Sequence, residues 1–207
     1  MAKALHVTLR KKLSNLANVS LSKLFPVEQD PEQIDKDSVK RILVVRINYR
    51  IGNILFTTPL LNELEKTFPD AKIDMMQGAP FTASLIADMP QINKVYSFPR
   101  KLLKQPLKML ALKKELKGNH YDLLIAPSLM STSDSLFSFL VSAKYKVGFY
   151  APDVFSPLTH AVPVDKTIEH EALQPLALMS LFKKLQEKGI SSSLDIRLSN
   201  EEKERVA

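Results

Sequence analysis

The strongest constraint on the fold is one stretch in which an apolar run meets a turn with a single glycine. Residues 41–61 read RILVVRINYRIGNILFTTPLL. The first half is short, apolar and β-branched, which is typical of a strand buried on both faces of a parallel sheet. The second half is polar around Gly52 and then leads into a helix. A strand, a glycine turn and a helix open a doubly wound α/β fold, which binds ligands at the carboxyl ends of its strands. The turn at residues 48–53 is therefore the first candidate site.

Strands and helices alternate through the rest of the chain. Apolar patterns predict strands at residues 41–47, 72–76, 94–98, 121–126 and 145–149. Helices are predicted at residues 53–67, 80–87, 105–117, 131–143 and 169–188, with Gly118 and Gly189 as left-handed caps. Pro59 predicts that the first helix begins properly at Thr57 or Thr58. Residues 150–168 contain three prolines and are predicted to form a loop. This alternation predicts a Rossmann-like, mainly parallel sheet with right-handed crossovers.

Composition narrows the class of protein. Of the 207 residues, 45% are hydrophobic, which supports a packed core. No stretch approaches the roughly 18 apolar residues of a membrane span, and Arg10, Lys11 and Lys12 interrupt the apolar block that a secretory signal needs. We therefore expect a cytoplasmic protein. The absence of cysteine excludes disulfides, thiolate catalysis and cysteine-ligated metals.

The net charge of +7 is concentrated in two segments. Residues 94–117 hold eight lysines and arginines against Glu115 alone, and within them we predict that Lys101, Lys104 and Lys108 contact an anionic surface. The other reading of this helix is a solvated surface. Residues 1–25 predict a basic amphipathic helix, which either lies on a membrane or packs on the domain or a partner. Residues 26–40 contain Pro26 and Pro31 and predict a linker.

Several ordered blocks resemble one enzyme family. The segment from Val44-Val45-Arg46 through Ile51-Gly52-Asn53 to Leu61 is similar to the opening of glycosyltransferase family 9, the ADP-heptose:lipopolysaccharide heptosyltransferases and their relatives. The blocks LEKTFPDAKID, YDLLI, YKVGF and EHE fit the same family in the same order. The resemblance runs from about Arg41 to the end of the chain.

The resemblance implies a fold and a reaction. Family members are GT-B enzymes of two domains, so residues 41–198 would be the acceptor-side Rossmann-like domain. Residues 199–207, with Ser199 as an N-cap, would begin the interdomain helix, and the second, donor-binding domain would be absent. The implied reaction transfers a sugar, with inversion, from a nucleotide donor such as ADP-heptose to an anionic glycolipid or lipopolysaccharide-core acceptor. It implies neither a cofactor nor a metal. Gly52 and Asn53 would line the reacting face, supported by Arg46, Arg50 and Thr57.

The chain departs from the family pattern at the catalytic position. Family members carry aspartate directly after the turn glycine as the proposed base, whereas this chain has Asn53. An amide cannot accept a proton at neutral pH. Asp88, Asp134 and Asp153 are candidate replacements, and the sequence does not choose among them. His170 lies between Glu169 and Glu171, whose side chains point to different helix faces, so we assign it a minor role.

Two functions of different classes follow. The first is a heptosyltransferase-like domain that is inactive alone, peripheral on the inner face of the plasma membrane. The alternative is a non-catalytic pseudoenzyme or binding module that docks on anionic lipid or a partner enzyme. Nucleic-acid binding is disfavoured, because the basic segments lack interleaved aromatic residues.

Overall fold

The computed structural model describes residues 34–48, 50–78, 80–98, 105–129, 131–150 and 155–182. The predicted amino-terminal helix at residues 1–25 and the segment around Ser199 lie outside these residues. Lys101, Lys104, Asp153 and Gly189 also lie outside them.

The core of the described structure is one six-stranded sheet in which every neighbouring pair is parallel. The strands are β1 (Arg41–Arg46), β2 (Lys72–Gln77), β3 (Ile92–Ser97), β4 (Tyr121–Ala126), β5 (Ala143–Tyr150) and β6 (His160–Pro163). Their order across the sheet is β3-β2-β1-β4-β5-β6. The chain first adds strands on one side of β1 and then on the other, so β1 and β4 flank a topological switch point. This doubly wound α/β architecture confirms the predicted fold class.

Helices connect these strands. The α-helices are α1 (Ile51–Leu55), α2 (Thr58–Thr67), α3 (Ser84–Ala87), α4 (Pro106–Gly118) and α5 (Thr132–Leu140). Among the described residues, 3-10 helices span Lys36–Ser38, Pro80–Thr82 and Gln174–Leu181. Within the described residues, no helix combines the length and apolar character that crossing a membrane requires.

Two hydrophobic layers cover the sheet because alternate side chains of β1 point to opposite faces. Ile42 and Val44 lie in the layer formed with α2 and the carboxyl-terminal 3-10 helix. This layer also contains Phe182. Leu43 and Val45 lie in the layer formed with α4 and α5. All four side chains are fully buried, as expected for the continuous apolar run of a central parallel strand.

The predicted first helix is two helices. Thr57 separates α1 from α2, and its hydroxyl donates to the carbonyl of Asn53 over 3.0 Å. Helix α2 begins at Thr58 as predicted, and Pro59 is its second residue. Proline fits the first turn of a helix because the amide hydrogen that it lacks has no partner there. The chain can therefore turn between α1 and α2 without losing an intrahelical bond.

The prediction that residues 150–168 form only a loop is wrong, because they include β6. This strand pairs with β5 from Val147 opposite His160 to Tyr150 opposite Pro163. It is an edge strand of the described sheet, where proline is tolerated because one side of the backbone needs no ladder bonds. The prolines around this segment therefore concealed a short strand.

The predicted helix at residues 169–188 is also wrong where it is described. Residues 174–181 form a 3-10 helix, and residues 183–188 lie outside the described part of the chain. Pro175 lacks an amide hydrogen, and the surrounding backbone bonds span three residues, as in Leu176 to Leu173. The Gln174 side chain also donates to the carbonyls of Asp165 and Ile168, which ties the helix start to the preceding loop.

The left-handed cap lies two residues beyond its predicted position. Gly118 is the last residue of α4 and does not adopt a left-handed conformation, whereas His120 has a φ of 46°. Between them the side-chain amide of Asn119 donates to the Tyr96 hydroxyl over 2.7 Å. This bond holds the turn so that the reversal falls at His120 and β4 can begin at Tyr121.

Other boundaries move by a few residues. Helix α5 ends at Leu140, three residues before its predicted end. Strand β5 begins at Ala143, two residues before its predicted start. Residues 80–87 divide into a 3-10 helix and α3. Residues 34–40, the described part of the predicted linker, bury Ile34 and Val39 in the α2 layer. This part of the chain packs on the domain.

Candidate active site

The candidate site lies at the carboxyl ends of β1 and β4, on either side of the switch point. Arg46 is the last residue of β1, and Ser128 follows the end of β4 by two residues. The Arg46 Nη1 donates to the Ser128 hydroxyl, which donates in turn to the Asp134 carboxylate in the first turn of α5. The other Asp134 oxygen accepts from the backbone N–H of Ile47 over 2.8 Å. These contacts join both strands and a helix at the crevice where doubly wound folds bind ligands.

Burial and charge oppose each other within this network. Burial lowers the pKa of Arg46, and the nearby Asp134 and Glu171 carboxylates act in the opposite direction. An arginine remains protonated in spite of such a shift. Burial also raises the pKa of Asp134, against the lowering effect of its bonds to Ser128, Ile47 and Ser131. Arg46 therefore provides a positive charge at the crevice. Its Nε is buried and has no hydrogen-bond partner among the described residues.

The turn after β1 is held by its own polar groups. The Asn48 side-chain oxygen accepts from the backbone N–H of Arg50 over 2.9 Å, and the Asn48 carbonyl accepts from Gly78 over 3.2 Å. Arg50 is exposed at the start of α1. Gly52 is exposed in α1, and a Cβ there would meet nothing within 4 Å. Glycine is therefore not required here by a left-handed backbone or by crowding from the described protein.

Asn53 and Thr57 lie one helical turn apart. Asn53 is half-buried in α1, and none of the hydrogen bonds among the described residues uses its side-chain amide. Thr57 is 1% exposed, and its hydroxyl is bonded to the Asn53 carbonyl. Thr57 therefore holds the backbone beneath Asn53 and does not face solvent. The assignment of Gly52, Asn53, Arg46, Arg50 and Thr57 as site residues stays a prediction.

The structure brings the segment after β6 against α1. The Phe56 and His170 rings meet edge to face with centroids 5.7 Å apart. The His170 Nδ1 accepts from the backbone N–H of Ala172 over 3.2 Å, so in the neutral ring the proton lies on Nε2. His170 is exposed beside an open groove of about 970 Å³ along β6, which is large enough for a sugar. In this tautomer His170 offers a donor to a ligand and not a base.

The candidate replacements for the family aspartate differ in how accessible their carboxylates are. Asp134 is 2% exposed, and the space beside it is about 20 Å³, enough for one water molecule. Its carboxylate is already bonded to Ile47 and Ser128, so an acceptor hydroxyl cannot reach it. Asp88 is exposed at the end of α3. Among the described residues, no cluster of histidine, aspartate and glutamate side chains could hold a metal ion.

Lys108 is exposed on the surface of α4. Its predicted contact with an anionic surface stays a prediction, as do those of Lys101 and Lys104.

Ser128 and Phe56 were not found as site residues from the sequence, and Glu171 was named only as a neighbour of His170. Ser128 had a usable signal, because it follows a predicted central strand at its carboxyl end. Phe56 resembles a core residue in the sequence, and only the path of the chain after β6 places His170 against it. Glu171 acts on Arg46 from a segment 125 positions away, for which no local pattern exists.

The arrangement of strands and helices defines the fold class. The strand order, the helices on both faces and the switch point are those of the Rossmann-like half of a GT-B glycosyltransferase. Within that class, the comparisons with known proteins confirm the resemblance to glycosyltransferase family 9 over part of the chain.

The sequence match is partial. Lipopolysaccharide heptosyltransferase 3 of Escherichia coli K12 is 36% identical over 77 residues, which cover 36% of this chain and 22% of that protein. No family model matches the chain. The chain therefore aligns with less than a quarter of the length of this curated relative.

The structural matches cover more of the chain. A glycosyl transferase family 9 protein from Veillonella parvula matches with a TM-score of 0.62 and 21% identity over 78% of this chain and 46% of that one. The ADP-heptose lipopolysaccharide heptosyltransferase II of E. coli matches with a TM-score of 0.60 and 18% identity over 80% of this chain and 49% of that one. The E. coli heptosyltransferase WaaC with ADP matches with a TM-score of 0.58 and 18% identity over 74% of this chain and 51% of that one. The shared fold accounts for about half of each solved chain.

Proposed function

We propose that this chain forms the acceptor-side domain of a heptosyltransferase-like glycosyltransferase. The observation that carries the proposal is the position of Arg46 and α1 at the switch point, in a fold shared with heptosyltransferases. The expected acceptor is a lipopolysaccharide-type glycolipid on the inner face of the plasma membrane. Arg46 and the exposed Arg50 supply cations for its anionic groups.

The reaction that we propose is an inverting transfer. The acceptor hydroxyl attacks the anomeric carbon of the donor sugar, the bond from that carbon to the diphosphate oxygen breaks, and the nucleoside diphosphate leaves. The hydroxyl proton passes to a base. Gly52 leaves open space for close approach to the α1 backbone, and the Asn53 amide orients the acceptor hydroxyl. No metal is needed if cationic side chains stabilise the leaving diphosphate.

The domain by itself is expected to transfer little sugar. Both reactants must be held in attack geometry, and the family binds the donor mainly with a second domain. The test is to incubate the purified 207-residue chain with radiolabelled ADP-heptose and a lipopolysaccharide-core acceptor. We expect no turnover above the buffer control, and efficient transfer would contradict the inactivity of the isolated domain.

Acceptor binding tests the domain assignment directly. Calorimetry with the same core acceptor should show binding by the native chain and about tenfold weaker binding by Arg50→Gln, which removes an exposed cation at the site. Lys72→Gln removes an equal charge from an exposed position at the opposite, amino-terminal end of β2 and is the control. No binding by the native chain, or equal weakening by both variants, would contradict the proposal.

A second candidate function is a non-catalytic pseudoenzyme or binding module. Asn53 favours it, because an amide cannot accept the hydroxyl proton, and Asp134, a candidate replacement for the family aspartate, is already bonded to Ile47 and Ser128. The test fuses this chain to the donor-binding domain of E. coli heptosyltransferase II and compares the native sequence with Asn53→Asp. Activity that requires Asn53→Asp supports a pseudoenzyme, and equal activity supports an enzyme. Asn62→Asp adds the same charge in α2, outside the crevice, and should have no effect.

A further inference from the structure

The outer surface of α4 combines exposed leucines with lysines. Leu107 is 82% exposed and Leu110 is 64% exposed. Both line one shallow surface with the remaining members of the set, Ala111, Lys113, Lys114 and Lys117. We call these six residues the α4 outer face. They occupy a continuous arc of the helix opposite Leu112 and Leu116, which pack against the sheet.

The charge of this face is not neutralised by the described protein. The single acid of α4, Glu115, is paired with Lys94 of β3 over 2.6 Å. Among the described residues, no carboxylate lies within ion-pair distance of Lys113, Lys114 or Lys117. A surface that served solubility alone would gain nothing from two leucines exposed among these lysines.

The amino-terminal end of the α4 outer face lies toward the edge of the sheet that carries the crevice. Asn119 and His120 lead directly from α4 to the start of β4, so the carboxyl end of α4 lies at the amino-terminal edge of the sheet. Thirteen helical residues span about 20 Å, roughly the length of a six-residue strand. Leu107 and Leu110 therefore lie toward the edge at which Arg46 and Asn53 lie.

We propose that the α4 outer face docks the domain on an anionic lipid bilayer. The leucines enter the boundary between headgroups and acyl chains, and the lysines extend to the anionic headgroups, as on interfacial helices. The charge complementarity selects an anionic bilayer and not a zwitterionic one. This inference goes beyond the proposed transfer reaction, since it concerns how the crevice is brought to a membrane, and its test requires no catalysis.

The test is co-sedimentation of the 207-residue chain with sucrose-loaded vesicles. We expect binding to phosphatidylglycerol and phosphatidylethanolamine mixtures, weaker binding at high salt, and little binding to phosphatidylcholine alone. The double variant Lys113→Glu, Lys114→Glu should bind at least about tenfold more weakly, because each lysine near an anionic surface strengthens binding several-fold. The variant Leu107→Ser, Leu110→Ser should also weaken binding several-fold without changing charge.

The matched control is Lys72→Glu, Lys166→Glu, which makes the same charge change at exposed positions outside α4. It should retain most of the binding, and thermal melts should show that all variants fold. Equal loss in the control, or no binding by the native chain, would overturn the proposal. Binding that survives both α4 variants would assign the membrane contact to residues 1–25 instead. Binding to RNA or to a soluble protein without vesicle binding would also overturn it.

Discussion

The carboxylate of Asp134 accepts a hydrogen bond from the backbone N–H of Ile47 over 2.8 Å, although the two residues are 87 positions apart in the chain. The bond holds the amino end of α5 to the point where β1 passes into the turn before α1. Ile47 is buried, so its N–H has no access to water and needs this partner. Asp134 is therefore a structural carboxylate that fixes the start of the turn that carries Arg50 and leads into α1.

This relationship predicts a specific dependence of stability on pH. Burial raises the pKa of Asp134 above its value in the unfolded chain. The folded protein then binds the proton more tightly, so the stability contributed by this group is fully present below the unfolded pKa and lost as pH rises through the folded pKa. We expect Asp134→Asn to flatten this decline, which urea denaturation at a series of pH values would measure.

The same position separates the role of the hydrogen bond from that of the charge. Asparagine can still accept from Ile47, whereas Asp134→Ala leaves the Ile47 N–H and the Ser128 hydroxyl without this partner and should cost about 3 kcal/mol. Asp88→Asn removes an exposed carboxylate and serves as the control. A steeper pH dependence in Asp134→Asn, or an alanine variant as stable as the native chain, would contradict this role.

Gly52 should show opposite effects on stability and on ligand binding. A Cβ at Gly52 meets nothing within 4 Å, so Gly52→Ala should stabilise the fold by about 0.5–1 kcal/mol through helix propensity. If the acceptor approaches the α1 backbone there, the same methyl should weaken acceptor binding about tenfold. Thermal denaturation and acceptor calorimetry on one sample would measure both.

Gly118 provides the matched control for this prediction. It is also helical with open space around its Cβ position, but it lies at the carboxyl end of α4, at the opposite edge of the sheet. Gly118→Ala should stabilise by a similar amount and leave acceptor binding unchanged. A Gly52→Ala variant that binds the acceptor as well as the native chain would remove Gly52 from the proposed site.

Gly148 is required for the close packing of β5 against its neighbours. A Cβ there would lie 2.9 Å from Leu158 Cδ1 and 3.0 Å from the Ala126 carbonyl oxygen, in the pairing of β4 with β5. The backbone oxygen cannot move without disturbing the ladder, so Gly148→Ala should destabilise the fold by about 1–3 kcal/mol. Urea denaturation would measure the change. An unchanged free energy of unfolding would contradict this packing role of Gly148.

Local patterns identified the elements with strong periodic or apolar signals. The buried run of β1, the start of α2 at Thr58 and the strands β2 and β4 were all predicted near their observed positions. Elements defined by weaker signals were missed. Strand β6 is short and ends in a proline, and its pairing with β5 depends on the whole sheet, so no local window records it.

The sequence by itself determined the α/β alternation, the buried central strand and the basic character of α4, because burial on a strand or helix leaves a local period. It also placed a turn after β1, although residues 51–53 of the predicted turn belong to α1. Only the tertiary structure decided the rest. The strand order set the switch point between β1 and β4, and this brought Ser128 and Asp134 to Arg46 and Ile47 from more than 80 positions away. Such contacts depend on how crossovers pack across the whole sheet, so the residues that hold the candidate site share no spacing that the sequence could reveal.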